Sequence, residues 1–124
     1  MKRFILSLAL AALPVAAGAH EMAKGPNGGP VIDSAGHHVE MVARGTELVL
    51  FVTGDGDAAH PSAGTKNARA IVQDGGKTAT VQLQAADPNR LVGALPAPLG
   101  KGARVVVTAT LADGHAVQAR FVHD

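Results

Sequence analysis

From Val31 to Val122 the chain returns again and again to one pattern, in which apolar and polar residues alternate over a short run that ends in a glycine-bearing turn. "KTATVQLQA" (77–85) shows it most clearly: Ala79, Val81, Leu83 and Ala85 alternate with Thr78, Thr80, Gln82 and Gln84. A period of two separates the two residue types onto opposite sides of an extended strand, whereas a helix would scatter both around its circumference. No stretch beyond residue 19 carries a convincing helical period. The chain therefore reads as an all-β protein.

The strands follow from the same rule. "VID" (31–33) turns through "SAG" into "HHVEMVA" (37–43), and "RGT" leads to "ELVLFVT" (47–53). A polar loop, "GDGDAAHPSAG" (54–64), precedes "KNARAIVQ" (66–73), and "DGG" leads into 77–85. "RLVGAL" (90–95) is followed by "PAPLGKG". "ARVVVTATL" (103–111) and "HAVQARFV" (115–122) flank "ADG", a hairpin signal, with Val117, Ala119 and Phe121 on one face of the last strand. About seven to eight short strands in about 100 residues predict a small antiparallel β-sandwich of the Ig-like kind, or a partly closed barrel. Its core must be built from Val, Leu, Ile and Ala, because Phe51 and Phe121 are the sole aromatics beyond Phe4.

The N-terminus has the three parts of a secretory signal. Lys2 and Arg3 supply the charge, "FILSLALAAL" (4–13) the short apolar run, and Pro14 precedes "VAAGA", where Ala17 and Ala19 fit small-residue cleavage. The preferred cut follows Ala19, with Gly18 the alternative. Residues 1–19 are thus expected to be a signal peptide, 20–30 ("HEMAKGPNGGP") a flexible arm, and 31–124 a single β domain. That organisation implies an exported, periplasmic, soluble protein with no membrane insertion after cleavage.

Composition removes several classes. With no cysteine, neither disulfides nor thiolate metal sites can form. The formal charge of +1 becomes −1 once Lys2 and Arg3 are removed, and the chain has no Trp or Tyr. Nucleic-acid binding, which needs a basic stripe or stacking platform, is not expected. Beyond Ser7, the serines are Ser34 and Ser62, and neither sits in a nucleophile elbow. The expectation is a protein that is not an enzyme.

Six histidines and the methionines Met22 and Met41 offer the donors that copper accepts, and histidine also suits zinc. If the cut falls after Ala19, the α-amino group and imidazole of His20 can chelate one ion together, and Met22 can add a thioether to Cu(I). On the "HHVEMV" strand, His38 and Glu40 share a face about 6.6 Å apart, near enough to converge on an ion. His37, Val39 and Met41 share the other face, where Met41 reads as core filling. His60 can swing from its loop onto a site at one end of the sandwich, or be a plain loop residue. His115 and His123 read as surface residues. The expected metal ligands are His20, Met22, His38, Glu40 and His60. "DGD" (55–57) lacks the spacing and closing Glu of a calcium loop.

"NGGPVIDSAGHHVEMVARGTELVLFV", the loop ending "HPSAG" and "VVVTATLADGHAVQARF" together resemble small periplasmic β-proteins of bacterial heavy-metal efflux and copper-resistance systems, and related β-domains of efflux adaptors. The resemblance implies an exported, non-enzymatic domain concerned with metal tolerance, and a periplasmic efflux component as partner. In such proteins the segment before Gly-Gly is often rich in His or Met; here it holds His20 and Met22. The chain is also similar in size to Ig-like periplasmic copper carriers, but of their Asp-Thr-His-Pro segment it has "AHP" (59–61). The expected function is a copper-binding or carrier protein linked to resistance. The alternative is an interaction module that docks on an efflux adaptor or other envelope protein and binds no metal.

Overall fold

The computed structural model describes residues 24–54 and 58–124. Within them lie nine strands: β1 (Val31–Ser34), β2 (His37–Arg44), β3 (Glu47–Thr53), β4 (Lys66–Asp74), β5 (Lys77–Gln82), β6 (Gln84–Ala86), β7 (Arg90–Ala94), β8 (Arg104–Thr110) and β9 (Ala116–Val122). They form a five-stranded sheet in the order β1-β2-β3-β7-β6 and a four-stranded sheet in the order β5-β4-β8-β9, antiparallel throughout. The arrangement is a β-sandwich that does not close into a barrel. No helix among the described residues is long and apolar enough to cross a membrane.

Tight turns set the register within each sheet. Asp74 faces Lys77 across Gly75 and Gly76, both at positive φ (60° and 83°), the conformation that a two-residue hairpin turn matched to strand twist requires. The β1–β2 turn uses Ala35 and Gly36 in the same way. Chain crossovers then distribute the hairpins: β1, β2 and β3 lie in one sheet, β4 and β5 in the other, β6 and β7 return, and β8 and β9 cross again.

The run 77–85, one strand by its alternation, is divided between the sheets. β5 pairs with β4 as far as Gln82, Leu83 donates its N–H to the Ala68 carbonyl (3.0 Å), and Gln84–Ala86 pair with β7. Val81 and Leu83 both stay buried across the switch, because the inner faces of the two sheets look onto the same core. Gly93 of β7 lies where the chain crosses; a Cβ there would stand 2.6 Å from Val81 Cγ1 and 2.8 Å from the Gln82 carbonyl oxygen.

Aliphatic side chains fill the interior. Met41, Leu48, Leu50 and Leu91 from one sheet pack toward Val105 and Val107 of the other, all fully buried. Phe121 joins them from β9, while Phe51 is half-buried on the outer face of the five-stranded sheet, opposite Glu40. The β1–β9 side is tied by the Gln118 N–H donating to Ser34 Oγ at 2.9 Å. That contact brings the β1–β2 turn and the β8–β9 hairpin to the same end of the sandwich.

Candidate metal centre

His37 is the first residue of β2, directly after the Ala35–Gly36 turn. Strand alternation places it on the core side with Val39 and Met41, at the end of the sandwich, with a side chain 8% exposed. The β8–β9 hairpin brings two further groups to it. Gly114 N–H donates to the Leu111 carbonyl (2.8 Å) and Leu111 N–H to the His115 carbonyl (2.9 Å), which folds the turn tightly. Asp113 Oδ1 accepts the His115 N–H at 2.9 Å, an Asx turn that fixes the carboxylate and leaves Oδ2 aimed at His37.

Three donor atoms meet there. His37 Nε2 and His115 Nδ1 each lie 3.1 Å from Asp113 Oδ2, and 3.3 Å from each other. His60, from the β3–β4 loop, lies just outside this set: its Nε2 is 3.9 Å from the same Oδ2, and its ring meets that of His37 edge-on with centroids 4.5 Å apart. The loop is held by the His60 N–H donating to the Val52 carbonyl and by Ser62, whose N–H reaches the Pro88 carbonyl. Ser62 Oγ also donates to the Ala86 carbonyl at 2.7 Å.

The electrostatics favour an ionised carboxylate. The backbone N–H of His115 is the largest influence holding the Asp113 carboxyl below its ordinary value, with the imidazoles of His115 and His37 acting in the same sense; desolvation opposes them. Hydrogen bonding alone leaves this cluster incomplete, since His37 Nδ1 and His60 Nε2 are buried without a partner. Four ligands about 2.0–2.1 Å from a tetrahedral ion stand about 3.3–3.4 Å apart. The His37–Asp113–His115 triangle already has nearly those edges, whereas His60 Nε2, 3.9 Å from Oδ2, stands outside the set and would have to move in to join it. His37, Asp113 and His115 can hold a metal ion.

The residues singled out from sequence fall in three places. His60 lies at this end of the sandwich, beside His37. His38 and Glu40 occupy the opposite, outer face of β2, and each is engaged there: His38 Nδ1 is paired with Asp33 Oδ1, while Glu40 Oε2 accepts the N–H groups of Asn27 (2.9 Å) and Gly29 (2.8 Å) and Oε1 accepts Asn27 Nδ2 (3.1 Å). Glu40 thereby pins the turn at 25–29 onto the sheet, beside a groove of about 830 Å³ bordered by Val31, Phe51 and Pro88. His20 and Met22 lie outside the described residues. Met41 is in the core, as its face implied.

His37, Asp113 and His115 were not among the expected ligands. His37 sat on the apolar face, and His115 read as a surface residue; its side chain is indeed 59% exposed, yet it is turned toward Asp113. The available signal was positional: "SAGHH" and "ADGH" each put a histidine at the first residues after a tight turn. Two such turns at one sandwich end can bring histidines from different sheets together.

Compared with known proteins, the chain matches no family model, no curated protein and no solved structure.

Proposed function

We propose that this chain is an exported, periplasmic metal-handling protein whose ion, copper in preference to zinc, is held by His37, Asp113 and His115 with His60 as fourth ligand. The observation that carries the reading is the convergence of two imidazole nitrogens and one carboxylate oxygen at 3.1–3.3 Å beside a buried, unpartnered His60 Nε2. Nitrogen and oxygen donors without sulfur suit Cu(II) and Zn(II); the near-tetrahedral edges match Zn(II), and the preference for copper rests on affinity at such sites generally rising toward Cu(II). One deeply buried histidine and one exposed histidine would give a firm anchor and an accessible face for ligand exchange. That asymmetry supports carriage or buffering rather than catalysis.

Competitive titration of Cu(II) and Zn(II) tests it, with electron paramagnetic resonance of the copper form. The expected result is submicromolar Cu(II) binding, more than ~8 kcal/mol, that weakens at least tenfold in both His37→Ala and His115→Ala. His20→Ala in natively processed protein separates the N-terminal alternative: loss of binding there, with His37→Ala and His115→Ala intact, would move the centre to the arm.

A further inference from the structure

The outer face of the four-stranded sheet has an unusual charge distribution. Reading the register across it, Gln82, Arg69, Thr108 and Gln118 form one row, Thr80, Ile71, Val106 and Arg120 the next, and Thr78, Gln73, Arg104 and Val122 the third. Three arginines, one per row, share this face with no Asp or Glu. All three are exposed, and among the described residues none is in an ion pair. The other sheet's outer face is mixed, with Asp33, Glu40 and Glu47 beside Arg44 and Arg90. In a chain with 11 basic and 10 acidic residues, one-signed segregation on a flat face is a local feature rather than a consequence of net charge.

The face also has the anatomy of an interface. Ile71 and Val106 are direct cross-strand partners at its centre, half-buried, with Val122 57% exposed in the next row. Arginine around an apolar centre is the composition enriched where proteins meet. Arg104 and Arg120 are diagonal neighbours, about 7–8 Å apart at Cα. Arg69 borders a trough of about 610 Å³ walled by Gln82, Thr108 and Gln118, whose amides and hydroxyl can complete the hydrogen bonds of a carboxylate that the guanidinium grips.

We infer that this face docks an acidic segment of another protein, with Arg69 in the trough taking a carboxylate and Ile71 and Val106 taking an apolar neighbour. The face measures about 20 by 20 Å, roughly 400 Å². That is half the area each partner contributes to a standard interface, about 800 Å². It fits a strand-like segment held weakly and reversibly. The three arginines are spread one per row among apolar and amide side chains, a spacing that matches alternate residues of an extended acidic segment and favours a protein as the occupant. The face is the outer side of its sheet, whereas His37 lies on the core side; the trough ends at Thr110 and Ala116, beside the hairpin that carries Asp113 and His115, but the inference does not depend on an ion being bound.

Fluorescence anisotropy with a labelled peptide of alternating glutamate and valine is the test, using the purified chain. Binding should weaken at least fivefold between 50 and 200 mM salt, fall by a similar factor in Arg69→Gln, and disappear in the Arg69→Gln, Arg104→Gln, Arg120→Gln triple variant. Arg44→Gln, on the other sheet, should leave it unchanged, and thermal melts of all variants should match the parent. Binding indifferent to these arginines, or no binding at all, overturns the inference. So does recruitment to vesicles of phosphatidylglycerol and phosphatidylethanolamine by a protein that ignores the peptide.

Discussion

Replacing Glu40 separates a structural carboxylate from a metal ligand. Its side chain is buried on the outer face of β2 and receives three N–H donors at 2.8–3.1 Å, two of them from the backbone of the 25–29 turn. Glu40→Ala deletes all three hydrogen bonds to a charged acceptor and strands the buried Gly29 N–H. Charge-assisted bonds contribute about 1.5–3 kcal/mol each, but three sharing one carboxylate do not add, so the expected cost is about 3–4 kcal/mol. For a domain near 100 residues that lowers Tm by well over ~10 °C. Glu40→Gln should cost about 1 kcal/mol, because its carbonyl oxygen can serve both backbone donors while Asn27 turns its amide to present Oδ1. Urea denaturation gives both numbers, and hydrogen exchange at Asn27 and Gly29 localises the damage. Metal affinity should be the same in parent and Glu40→Gln. A loss below about 1 kcal/mol in Glu40→Ala, or a tenfold loss of Cu(II) affinity in Glu40→Gln, would refute the anchoring role.

Three further outcomes can be checked directly. Because the ligands come from both sheets, Cu(II) at one hundred times its Kd should stabilise the fold by about 2.7 kcal/mol, raising Tm by roughly 10–20 °C; an unmoved melt, or an equal rise in His37→Ala, contradicts the centre. Gly93→Ala should destabilise by about 1–3 kcal/mol in denaturant, since its Cβ would meet Val81 and the Gln82 carbonyl oxygen within 3 Å; a neutral result would mean that the β5–β6 crossing yields. Asn89→Ala should cost about 1–3 kcal/mol, because buried Asn89 Nδ2 donates to the Val52 carbonyl at 2.8 Å; the same denaturation series reads it.

Much of the fold was legible from local chemistry. The hairpin at "ADG", the turn at "DGG" and the inward faces of β2 and β9 follow from residues within a few positions of one another. The N-terminal reading rests on equally local signals. The candidate site was less legible. His60 is visible as a loop histidine able to reach one end, whereas the other donor on the face of His37 is Met41, four residues on and too far to share an ion, and a histidine at the first core-facing position of a strand looks the same in sequence as one deep in the core. His38 with Glu40 had favourable spacing, yet Asn27 and Gly29, 11–13 residues upstream, claim the carboxylate.

The all-β class, most strand positions and the face each strand buries are written in local pattern, because a two-residue period and glycine turns act over short distances. The tertiary structure alone decided which sheet each strand joins, where 77–85 divides, and that His37 meets Asp113 and His115 from 76 and 78 residues away. Alternation reports which side of a strand is apolar and carries no information about the neighbour across the core. Leu83 satisfies its burial equally well in either sheet, and only the packing of the two sheets brings two distant turns to one end, where their side chains can share an ion.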